Sequence, residues 1–143
     1  YNAETKSGYV GTSYLGVPES ELDKAIGAKT AVDITYFYKE DEKNARKGVY
    51  VITVVSASPR WRFLAKNDLY VINDDKTTLI GKAKRTTSTN DGTVQESLSY
   101  TVKRSDIERI ANGTQVLLRV GDYHCQPLPM LQFMLFNLLQ VTQ

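Results

Sequence analysis

At 143 residues the chain is long enough to bury a core without a metal or disulfide, and 41% hydrophobic with 24% charged residues is globular rather than disordered material. Eighteen basic against 16 acidic residues leave a net charge of +2, too even to point to nucleic acid on charge alone. The single cysteine excludes an internal disulfide, and no stretch reaches the roughly 18 consecutive apolar residues of a membrane span.

Residues 1–8 are polar and without period and read as a loose lead-in to one globular domain over 9–143. Tyr9 to Leu15 reads as a short edge strand. Pro18-Glu19-Ser20-Glu21 opens a possible helix ending at Gly27, with an irregular loop as the alternative. Ala31 to Lys39 is β-branched and aromatic, hence a strand, and the charged run Lys39 to Lys47 is a solvated hairpin loop. Val49 to Ser56 is apolar at both parities, which predicts a central strand ended by Ser58-Pro59. Asp68 to Ile72 and Thr78 to Lys82 pair across the turn Asn73-Asp74-Asp75-Lys76. Residues 86–92 read as a polar loop ending in Asp91-Gly92. Thr93 to Val102 alternates, with Val94, Leu98, Tyr100 and Val102 on one side.

The last stretch is the densest in apolar surface. Ser105 and Glu108 form the pattern of a capping box, Ile107, Ile110 and Ala111 share a helix face, and Asn112-Gly113 offers a left-handed stop. Asn112-Gly113-Thr114 also matches a glycosylation sequon, although a helix end explains the same residues. Gln115 to Val120 and Tyr123 to Leu128 form a hairpin across Gly121-Asp122. Pro129 then starts a helix of about 12 residues, or roughly 18 Å, striped by Leu131, Met134, Leu135, Leu138 and Leu139. Phe133 and Phe136 fall outside that stripe. They are expected inside the domain, with a homodimer or protein-partner surface as the alternative. The fold class expected is α+β, mainly β: an antiparallel sheet or sandwich-like domain closed by a C-terminal helix–hairpin–helix unit.

His124 and Cys125 are the only residues of their kinds, which excludes a histidine-rich or thiolate metal site. Adjacent strand residues face opposite sides, so these two do not make a nucleophile and base, and Cys125 reads as a small buried hydrophobe. No phosphate-cradling glycine loop or nucleophile elbow is present, and no cofactor is implied. A nucleic-acid face would need Lys82, Lys84, Arg85, Lys103, Arg104 and Arg109 together with exposed aromatics, and no aromatic interleaving accompanies them.

Glu96 stands out. It occupies the parity of Leu98, Tyr100 and Val102, where an apolar residue is expected, and a buried carboxylate must find a partner or become neutral. Arg62, between Trp61 and Phe63, is the first candidate partner and Arg119 the second. Trp61 reads as the largest plug of the core, with an exposed binding aromatic as the alternative. Trp61, Arg62, Glu96 and Arg119 are therefore the candidate ligand-binding set. An ion pair fixing the tryptophan segment to the sheet is preferred over a pocket acid, because no second catalytic group accompanies Glu96.

Trp61-Arg62-Phe63-Leu64, Gln95-Glu96-Ser97-Leu98 and Ile110-Ala111-Asn112, with Val116, Arg119 and Gly121, resemble a pattern of uncharacterised bacterial proteins that are often exported or lipid-anchored. The resemblance spans about residues 49–140. It implies a bacterial source, export and a small β-rich domain, and it carries no activity and no catalytic residue. The chain opens on Tyr1 rather than methionine, so a signal segment or lipid anchor upstream is an expectation. The expected function is a non-enzymatic binding or structural module of the bacterial envelope. The alternative is a small-molecule-binding or hydrolytic domain with a pocket around Glu96, Arg62 and Trp61.

Overall fold

A computed structural model describes residues 2–15, 29–40, 46–73, 75–125 and 129–142. The possible helix at 18–27 and the middle of the charged loop at 39–47 lie outside them. Among the described residues the chain is mainly antiparallel β, arranged as two sheets with two short helices.

The first sheet contains β1 (Ser7–Leu15), β2 (Lys29–Glu40), β3 (Arg46–Ser58), β6 (Lys84–Asn90) and β7 (Thr93–Val102), in the order β1-β2-β3-β7-β6. The second contains β4 (Leu69–Asn73), β5 (Lys76–Gly81), β8 (Val116–Val120) and β9 (Tyr123–Cys125), in the order β5-β4-β8-β9. Helix α1 (Arg104–Asn112) follows β7, and α2 (Pro129–Val141) follows β9. No helix among the described residues is long and apolar enough to cross a membrane.

The strand expected to be central, β3, is the third of five. Period-two patterning sets the register. Val32 pairs with Val54 and Val54 with Leu98; Ile34 pairs with Ile52 and Ile52 with Tyr100; Tyr36 pairs with Tyr50 and Tyr50 with Val102. All of these are buried, and they share one apolar cluster with Leu69, Val71, Val116 and Val120 of the second sheet. Ile107, Ile110, Leu135, Leu138 and Leu139 add the helix faces to that cluster, as the two apolar stripes require.

Residues 86–92 are not a loop. Lys84 to Asn90 forms an edge strand, exposed at almost every position, whose threonines suit extended backbone without needing a core face. Asp91 and Gly92 both have positive φ, +46° and +78°, which is the type I′ geometry of a two-residue hairpin. The second hairpin turns at Gly121, φ +59°, as its Gly-Asp pair suggested. A side chain there would also run into the Lys66 carbonyl.

Helix α1 starts two residues earlier than the capping-box pattern implies. Lys103 occupies the cap position with no side-chain cap, and Glu108 pairs with Arg104 at 3.0 Å instead of reaching back. Nor does Gly113 stop the helix in a left-handed conformation, since its φ is −72°. Glycine is required there because a Cβ would collide with the Val116 side chain.

What caps the helices is each other. Gln132 Nε2 of α2 donates to the carbonyls of Ile110 and Gly113, at 3.0 and 2.9 Å, closing the C-terminal end of α1. Arg104 at the start of α1 donates to the carbonyls of Leu139 and Thr142, at 2.9 and 3.2 Å, closing the C-terminal end of α2. Arg104 Nη1 also donates to the Tyr50 hydroxyl at 2.6 Å. Thr142 Oγ1 donates to the Leu138 carbonyl at 2.7 Å, so its 2.5 Å contact with Tyr50 has the tyrosine as donor.

Leu135, 1% exposed, anchors α2 in the shared core. Leu135→Ala should cost about 2–5 kcal/mol by lost transfer and cavity terms. A urea melt showing a loss below about 0.5 kcal/mol would place that helix face outside the core.

Candidate functional site

The site is built on the inner row of the first sheet where apolar residues give way to polar ones. Along β3 the inward positions run Tyr50, Ile52, Val54 and then Ser56 and Ser58, and Glu96 of β7 pairs with Ser56. Glu96 is 1% exposed, so the sequence-level inference of a buried carboxylate holds.

Its counter-ion is Arg85. The Nη2 and Nε atoms donate to Glu96 Oε2 at 2.9 and 3.1 Å. The register explains the pairing, because Arg85 stands opposite Leu98 and thus reaches Glu96 across a cross-strand diagonal on the same face. The other donors are main-chain amides: Arg62 N to Oε1 at 2.6 Å and Phe63 N to Oε2 at 3.1 Å. Four donors thus converge on one carboxylate, the compensation that a buried charge requires.

The candidate residues part company here. Arg62 does reach Glu96, but through its main-chain amide, while its Nε donates to Ser58 Oγ at 3.3 Å. Arg119 is not the partner. It lies in β8 of the other sheet with its guanidinium 4.1 Å from the centre of the Tyr70 ring. Trp61 is only half-buried and covers the outer side of Arg85, 5.3 Å from ring centre to guanidinium carbon. The core plug is Phe63, fully buried and edge-on to Tyr123 at 5.6 Å. Indole and guanidinium therefore close the site from the solvent side, while phenylalanine, with no polar atom to satisfy, goes inside.

Arg85 and the two serines were missed by sequence reasoning. Arg85 follows from the threonine-rich run and its Asp-Gly turn once these are read as a hairpin with Thr93 to Val102. Ser56 Oγ is buried beside this cluster and has no hydrogen-bond partner. The side chains of His124 and Cys125 lie outside the described residues. Among the described residues no three His, Cys, Asp or Glu side chains gather where a metal ion would sit.

A second buried polar contact holds the 59–68 segment from its other end. The Tyr100 hydroxyl donates to the Asn67 carbonyl at 2.5 Å. Burial, and secondarily the charge of Asp68, push the Tyr100 phenol well above its ordinary value of about 10. Glu96 and Tyr100, two inward positions of one strand, thereby pin both ends of the segment that carries Trp61 and Phe63.

Comparison with protein-family models, with curated proteins and with solved structures finds no match for the chain.

Two measurements test these contacts. Glu96→Gln turns one acceptor oxygen into a donor, and either amide orientation sets it against at least one existing donor. The variant should lose about 2–5 kcal/mol at pH 7 in a denaturant melt. A neutral or stabilised variant would mean that the carboxylate is not used by the fold. For Tyr100, a raised folded-state value means that stability is full below about pH 10 and falls as pH rises above it. The unfolded chain ionises there while the folded one must keep its proton. Tyr100→Phe should lose about 1 kcal/mol at pH 7 yet fall less steeply than the parent above pH 10, by up to about 1.4 kcal/mol per pH unit. Parallel alkaline slopes would show that Tyr100 ionises freely.

Proposed function

We propose that the chain is a non-enzymatic binding or structural module of the bacterial envelope. It is a sandwich-like β body, closed by its C-terminal helix–hairpin–helix unit, that presents the outer flank of α2 to a protein partner. The carrying observation is what folding leaves in water on that helix. Phe133 is 61% exposed, Phe136 45% and Val141 59%. The expectation that both phenylalanines are internal is therefore corrected. Leu135, Leu138 and Leu139 already fill the buried face, and helical geometry turns positions 133, 136 and 141 away from it. Asn137 and Gln140 are exposed among them, giving the mixed apolar and polar character of a contact surface.

The rival reading needs Glu96 as a free acid in a pocket. Its two oxygens already accept four hydrogen bonds, which supports the module over the rival. The envelope assignment rests on the resemblance carried by Trp61-Arg62-Phe63-Leu64 and the segments that accompany it.

The simplest partner is a second copy of the chain. Changing Phe133 and Phe136 together to serine should abolish concentration-dependent self-association in sedimentation velocity while shifting stability by no more than about 0.5 kcal/mol. A parent protein that is already monomeric at high concentration would rule out the homodimer.

A further inference from the structure

Away from Glu96, a cavity of about 420 Å³ opens between the end of the 59–68 segment, β4 and the β8–β9 turn. Lys66, Asp68, Tyr70, Arg119 and Asp122 line it. We propose that it binds a small monocarboxylate, with Arg119 receiving the carboxylate group. This does not depend on the α2 surface.

Arg119 is the reason. Arg85 and Arg104 spend their donors on Glu96 and on the end of α2. Arg119 is only partly exposed, yet it donates no hydrogen bond to any group among the described residues, and its Nε is buried without a partner. An unsatisfied buried donor is uncommon in a folded protein and calls for an acceptor. The guanidinium is not loose, because its carbon lies over the Tyr70 ring, 4.1 Å from the ring centre. Tyr70 and Arg119 are also direct cross-strand partners, so both backbones are fixed by the β4–β8 ladder. A planar fork, held against an aromatic ring and with its donors unspent, matches the two oxygens of a carboxylate.

Charge in the lining narrows the ligand class. Lys66 sits 3.4 Å from Asp122, and that pair is largely exposed, so it adds little net field. Asp68 supplies a further carboxylate. With two cations facing two acids, a doubly charged phosphate meets repulsion that a single carboxylate largely escapes, and the Tyr70 ring offers an apolar wall to the remainder of the molecule.

The test is a titration of the intact protein, uniformly labelled with ¹⁵N, with sodium acetate at constant ionic strength. The readout is the Nε–Hε resonance of Arg119. A saturable downfield shift is expected, and inorganic phosphate and chloride over the same range should give none. Arg119→Gln should remove the acetate-induced changes in neighbouring backbone amides such as Tyr70 and Gly121. Tyr70→Leu keeps the charge but removes the platform, and should weaken acetate binding about tenfold. Absence of a saturable shift, an equal shift with phosphate, or amide changes that persist in Arg119→Gln would each overturn the proposal. If Arg119→Gln does not fold, the parent titration and Tyr70→Leu decide alone, and a Tyr70→Leu protein that binds acetate as the parent does would also refute it.

Discussion

A carboxylate with 1% of its surface in water has to be answered by the protein around it, and here the answer fixes more than the charge. Glu96 requires Arg85, so β6 must pair with β7 in one register, because a one-residue slip of β6 would carry Arg85 to the opposite face of the sheet. It requires the amides of Arg62 and Phe63, so a segment with no regular secondary structure must cross the sheet end at one place. Phe63 is then delivered into the core and Trp61 over the guanidinium. Buried ion pairs add little net stability against an apolar substitute, but breaking one is costly. Specification of register and docking is thus the more natural role of Glu96.

The same reasoning separates the polar clusters by what remains unspent. At Glu96 donors and acceptors match, and the chemistry is closed within the chain. At Arg119 a fixed cation has no acceptor, and on α2 apolar side chains have no cover. Function is more readily sought where folding leaves valences open than where it has filled them.

Much of this was legible in residue order. Alternation revealed the strands and, because Glu96 interrupts it, also the buried carboxylate. Helical spacing revealed the buried stripe of α2. Signals shared by two structures were harder. Lys84 to Asn90 lacks an apolar parity because it is an exposed edge, so nothing but its threonines and the Asp-Gly turn mark it as a strand, and Arg85 was hidden with it. Ser105 and Glu108 satisfy a local capping rule, yet Arg104 must lie in the helix to reach Leu139 and Thr142, and that tertiary demand moves the start. Size made Trp61 the expected plug, whereas its neighbour Phe63 carries no polar atom and goes inside.

The crossed caps of the two helices bear on how the domain opens. A helix end ordinarily frays alone, at little cost and independently of distant residues. Here the terminal carbonyls of α1 are held by a side chain near the start of α2, and those of α2 by a side chain at the start of α1. Unwinding either helix as a whole releases the donor that closes the other. The pair therefore breathes as one unit, and the β8–β9 hairpin lies in the stretch of chain between the two helices that Gln132 clasps together.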